Sequence, residues 1–166
     1  MHLSLFLVFF LFGVLGLPEP PAPGMFPSVS TVAPEEVRWM TLPQALAKSK
    51  THPKKIPVDV YTDWCGFCKK MDKQVYRNPA VVAMLNQEFY VVKLDAEHRQ
   101  DITINGTTYR YNTDYKAHEL AISLLKGELS LPSTVFLNEQ QQVMERVAGY
   151  IPPKDFLRAL AFIAEN

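Results

Sequence analysis

Cysteine is scarce in this 166-residue chain: there are two, Cys65 and Cys68, with no second pair from which a four-cysteine zinc site could be built. An excess of charge of either sign is missing too. Seventeen Lys and Arg residues balance seventeen Asp and Glu residues, and nothing in that balance points to nucleic acid or to an anionic membrane surface. No internal repeat is visible, and no methionine-rich cluster accompanies the cysteines. Long apolar runs are lacking as well, with one exception at the start.

That exception is residues 3–17 (LSLFLVFFLFGVLGL), fifteen uncharged and almost wholly apolar residues. As a helix they would reach about 22 Å, short of the ~30 Å hydrocarbon core of a bilayer. The length suits a signal peptide over residues 1–16 better than a membrane anchor, and Val14 and Gly16 are placed for cleavage after Gly16. Only His2 precedes the run where Lys or Arg is usual, and an uncleaved anchor is the alternative. No cysteine lies there to carry a lipid. Residues 17–34 hold six of the 13 prolines and little periodicity, so they read as an extended linker. A folded domain is expected over 35–166, in an exported chain, periplasmic or secreted.

Within that domain, Thr41-Leu42-Pro43-Gln44 has the form of a capping box and predicts a helix over 42–50. Residues 56–62 form a β-rich run that ends just before the cysteines. A helix is expected over 69–76, restarting at Asn78-Pro79 and running to about Asn86. Residues 89–94 are a second buried strand, and strand, helix and strand in that order imply a parallel βαβ unit. Asn105-Gly106 marks a type I′ hairpin that would pair Ile104 with Thr107, Ile102 with Tyr109 and Asp101 with Arg110. A helix over 114–126 stopped by Gly127, strands over 133–137 and 143–148, and a last helix from about Pro153 complete the reading.

Two cysteines three apart, where a strand gives way to a helix, are placed for redox chemistry. The spacing brings the sulfurs within disulfide reach. The helix N-terminus offers unpaired N–H groups and partial positive charge, both of which favour a thiolate. Cys65, nearer that end, is the expected nucleophile, with a pKa below the ~8.5 of a free thiol. Cys68 is the resolving thiol. A plain stabilising disulfide and a metal site completed by His52, His98 or His118 are the alternatives. Asp59, six residues before Cys65, falls in a strand that should be buried, and charged residues are rarely buried unpartnered. Asn105-Gly106-Thr107 is formally a glycosylation sequon, though its turn role accounts for it.

The stretch 59–69 (DVYTDWCGFCK) resembles the active-site strand and turn of thioredoxins, and 130–137 (SLPSTVFL) resembles that family's cis-proline loop and following strand. Residues 75–82 (VYRNPAVV) are similar to a subgroup that includes the periplasmic C-terminal domain of the electron transporter DsbD and related secreted thioredoxin-like proteins. The resemblance, from about Trp39 onward, implies an α/β thioredoxin fold: a central mixed sheet flanked by helices, here with a hairpin-plus-helix insertion around 98–127. It implies protein disulfide exchange at Cys65 and Cys68, needing neither organic cofactor nor metal. Asp59 would move the proton of the resolving thiol, with Lys93 as its neighbour. Pro132 would be cis and lie against the disulfide. Trp64, Gly66, Phe67 and the Leu131 backbone would receive substrate.

The expected partners are protein thiols and disulfides, together with a membrane electron donor, for a monomer working in the reducing direction. Phe67 stands where thioredoxin has proline, so thioredoxin's potential does not carry over. A thiol-based copper carrier and a non-catalytic binding module are the readings from other classes.

Overall fold

The computed structural model describes residues 35–166; the apolar stretch, its cleavage point and the proline-rich linker lie outside the described residues. A four-stranded mixed sheet forms the centre. Strand β1 (Ile56–Tyr61) pairs in parallel with β2 (Val92–Asp95) and antiparallel with β7 (Ser133–Leu137), which pairs antiparallel with β8 (Val143–Ala148). The βαβ crossover is thus present.

The period-2 alternation of β1 separates two apolar layers. Ile56, Val58 and Val60 join Leu42, Leu46, Leu120 and Leu124 on one face. That face is covered by α1 (Leu42–Thr51) and α4 (Glu119–Leu124). The opposite face packs Phe136 against α2 (Gly66–Gln74), α3 (Pro79–Glu88) and α5 (Pro153–Glu165), through Met71, Leu85, Phe156 and Leu160. Alternation places Asp59 on this second face, under α2. That placement matters for the site.

Local signals set the helix ends. Thr41 Oγ1 accepts from Gln44 N–H at 3.4 Å while Gln44 Oε1 accepts from Thr41 N–H at 3.0 Å, so the capping box forms. Asn78 caps α3 through Ala80 and Val81, with Pro79 at the first helical position. The hairpin of β3 (Ile102–Ile104) and β4 (Thr107–Tyr109) has the expected register, and Arg110 Nε lies 3.3 Å from Asp101. Asn105 and Gly106 have φ of 49° and 81°, as the turn requires.

Three expectations need correction. The helix after the cysteines begins at Gly66, not Lys69, because Cys65 itself caps it. The second strand is Val92–Asp95 rather than 89–94. Tyr90 and Val91 instead bond to neighbouring segments, Tyr90 N–H to Lys55 O at 3.2 Å and Val91 O to Met40 N–H at 2.8 Å. Residues 114–126 are not one helix. The two-residue strands β5 (Tyr111–Asn112) and β6 (Ala117–His118) precede α4. Asn112 Oδ1 accepts the N–H groups of Asp114 and Tyr115, each at 3.0 Å, which closes a turn against helix there. α4 ends at Leu124, two residues before the expected Lys126; Lys126 and Gly127 follow its C-cap at φ 54° and 83°, with Gly127 N–H donating to Ile122 O at 2.8 Å.

Candidate active site

The turn after β1 delivers the cysteines. Cys65 N–H donates to Thr62 O at 3.2 Å, stopping the strand and setting Cys65 at the N-cap of α2. A capping side chain accepts an N–H that the first helical turn leaves unpaired. Here the acceptor is sulfur: Cys68 N–H donates to Cys65 Sγ at 3.1 Å. A thiolate at Cys65 would gain that hydrogen bond and the positive end of the helix. The two cysteines are joined as a disulfide. They are recessed, 5% and 3% exposed, while Trp64 and Phe67 project at 68% and 62%. A side chain at Gly66 would meet open space, so packing within the fold does not require glycine there.

Two further groups frame this end of the sheet. Because β7 runs antiparallel to β1, its start lies beside the end of β1, with Ser133 opposite Val60. The Leu131–Pro132 peptide immediately before it is cis. Pro132 O accepts from Gly149 N–H at 2.7 Å, whereas Leu131 makes no backbone hydrogen bond among the described residues. The Leu131 N–H and carbonyl are therefore available to an extended segment. On the other flank, the Trp64 indole N–H donates to Glu97 Oε1 at 3.0 Å.

Asp59 is 3% exposed, and its Oδ1 completes no hydrogen bond. Burial pushes its carboxyl up to about 7 from 3.8, against the opposing pull of the Lys93 ammonium and the Tyr76 phenol and with reinforcement from Asp72. Lys93 is its register partner across β1 and β2, but the ammonium forms its ion pair with Asp72. Three rings surround the ammonium: Tyr61 at 4.9 Å, Trp39 at 5.1 Å and Tyr76 at 5.9 Å from their centroids. Tyr76 faces Asp59, yet its buried hydroxyl also lacks a hydrogen bond of full geometry.

The structure thus places Cys65, Cys68, Trp64, Phe67, Gly66, Leu131 and Pro132 at one end of the sheet, with Asp59 and Lys93 beneath α2. Asp72, Tyr76 and Glu97 belong to this neighbourhood and were not singled out from the sequence. Asp72 had a readable signal, lying four residues after Cys68 and so one helical turn along the same face. Glu97 carried none. The histidines are not gathered round the cysteines, and among the described residues no group of three His, Cys, Asp or Glu side chains is placed to hold a metal. His118 instead caps α4, its Nδ1 accepting from Leu120 N–H at 3.2 Å while Nε2 lies 3.1 Å from Gln100 O.

Comparison with known proteins agrees with this geometry. The thioredoxin-like domain family matches residues 42–164, and the chain belongs to that family. It is similar to the thiol:disulfide interchange protein DsbD of Salmonella typhimurium, 30% identical over 145 residues, and to that of Vibrio vulnificus, 27% over 125 residues. These alignments take in 85% and 74% of this chain but only 21% and 18% of those proteins. Among solved structures, a Thermus thermophilus thioredoxin aligns at TM-score 0.58 and 24% identity, covering 77% of this chain and 87% of its own. The DsbH oxidoreductase aligns at TM-score 0.59 and 15% identity, covering 87% and 95%. The fold is that of thioredoxin.

Proposed function

We propose that this chain is a thiol–disulfide oxidoreductase acting on protein substrates, in the reducing direction. One observation carries the reading: Cys65 is both half of a disulfide and the N-cap of α2, its sulfur receiving the Cys68 N–H. In the reduced form the Cys65 thiolate attacks a substrate disulfide, forming a mixed disulfide and releasing one substrate thiolate. Cys68 gives its proton to Asp59 and attacks Cys65 Sγ, which closes the enzyme disulfide and frees the second substrate thiolate. Asp59, its carboxyl pushed up to about 7 by burial, is matched to that transfer.

Trp64, Phe67 and the cis Leu131–Pro132 segment form the docking surface. Electrons return through a dithiol partner, for which a membrane donor is the counterpart of the relatives' interchange chemistry. Export rests on the apolar run at 3–17. Incubating the full chain with insulin and a thiol reductant tests the activity. Cys65→Ser abolishes it if the reading holds; a variant as active as the parent overturns it.

A further inference from the structure

Resting on the role of Asp59 given above, we infer that the proton Asp59 takes from Cys68 leaves through a rear cleft, past Tyr76 and the Asp72–Lys93 pair, rather than through the face that substrate covers. A cleft of about 290 Å³ opens beside α2 and is lined by Glu36, Trp39, Asp72, Tyr76, Arg77 and Lys93. Two of these residues stand next to Asp59: Lys93 as its register partner and Tyr76 as the phenol that faces it. Cys65, Cys68, Trp64 and Phe67 do not line this cleft.

The need for a second route follows from the site. A protein docked on Trp64 and Phe67 removes water from the cysteines, so a proton released there is cut off from bulk water on that side. Asp59 is itself sealed from solvent, with Oδ1 unpaired. Tyr76 touches both Asp59 and the cleft: its ring side lines the cleft, and its phenol, buried and without a full hydrogen bond, is the group that faces Asp59. Beyond it, the Asp72 side chain is 40% exposed and Lys93 22%, so this pair reaches water. The three rings around Lys93 hold the ammonium there, leaving Asp72 as the carboxylate that passes the proton out.

Cys68 loses one proton to Asp59, Asp59 returns it to solvent by way of the cleft, and the two departing substrate thiolates are protonated from bulk water. Asp72 and Tyr76 are then positioning residues. They act through Asp59.

The test compares turnover of the full chain on insulin, which covers the front face, with turnover on hydroxyethyl disulfide, which does not. The variants are Asp72→Asn, Asp72→Glu, Tyr76→Phe and Asp59→Asn. The Asp72 side chain is 40% exposed and outside the apolar core, and the isosteric Asp72→Asn keeps its shape. Asp72→Asn and Tyr76→Phe should slow insulin turnover on the order of tenfold more than the small disulfide, a fraction of the ~10²–10⁴ that loss of general acid–base catalysis removes. Asp72→Glu should restore most of it.

The infrared carboxyl band of Asp59 should titrate at lower pH in Asp72→Asn, because a neighbouring anion is gone and Lys93 is freed to pair with it. If Asp59→Asn slows both substrates while Asp72→Asn and Tyr76→Phe slow the two equally or not at all, the rear route is wrong and the role of Asp59 stands. If Asp59→Asn slows neither, the role of Asp59 falls, and the rear route with it.

Discussion

Lys93 stands opposite Asp59 in the parallel pairing of β1 and β2, yet its ammonium is ion-paired to Asp72 on the helix above. The buried carboxylate therefore has a cation beside it but not bonded to it. Full pairing would hold Asp59 ionised, and no cation at all would hold it protonated. The shared arrangement leaves its pKa at about 7, where it can take and give a proton.

That poise costs stability. The folded-state pKa of Asp59 lies above its ordinary 3.8, so between about pH 4 and 7 the folded state holds a proton that the unfolded state has lost. Stability falls as pH rises through that window and then levels off. The interval between 3.8 and about 7, at ~1.4 kcal/mol per pKa unit, is on the order of 4 kcal/mol. Asp59→Asn should therefore be more stable than the parent in urea melts at pH 8, by roughly 2–4 kcal/mol, with the gain gone at pH 4. A variant no more stable at pH 8 would show that Asp59 is not held in a desolvated site.

Phe67 should set the redox potential. Its backbone N–H is one of the unpaired donors of the first turn of α2, next to the Cys68 N–H that meets the Cys65 sulfur. Proline has no such donor. Phe67→Pro should weaken the thiolate, raise the Cys65 pKa and make the dithiol a stronger reductant. A one-unit rise corresponds to about 30 mV. Equilibration with glutathione reads the potential, and a shift to a less reducing value would contradict the argument.

His118 carries an opposite pH dependence. Its Nδ1 accepts the Leu120 N–H, so Nε2 bears the proton and donates to the Gln100 carbonyl. Desolvation by burial, opposed by that backbone carbonyl, holds its pKa below 6.5. The unfolded state then binds the proton first as pH falls, and stability drops below about pH 6.5. His118→Ala should lose about 1–2 kcal/mol for the cap and show a shallower decline between pH 6.5 and 5 than the parent. Equal slopes in the two thermal-melt series would refute the assignment.

Much of this was legible beforehand because the signals were local. The capping box at Thr41, the Asn78-Pro79 restart and the Asn105-Gly106 turn each fix backbone geometry within a few residues. The burial of Asp59 followed from its strand, and the positions of the cysteines and of the Leu131-Pro132 loop followed from short motifs. What escaped depends on groups distant in sequence. The 114–126 segment has helical composition, but the Asn112 side chain captures its first N–H groups and His118 caps a later, shorter helix. Glu97 reaches Trp64 from 33 residues away, and Asp72 takes Lys93 from 21. No sequence period encodes such partners.

The most direct test of the account is the ionisation of Cys65 in the reduced protein. Alkylation by iodoacetamide between pH 4 and 10, with the modified residue located by mass spectrometry, gives a rate profile for each thiol. The account predicts rapid labelling at Cys65 alone, with a midpoint below the ~8.5 of a free thiol. Two cysteines labelled at similar rates, each with a midpoint of about 8.5 or higher, would contradict it.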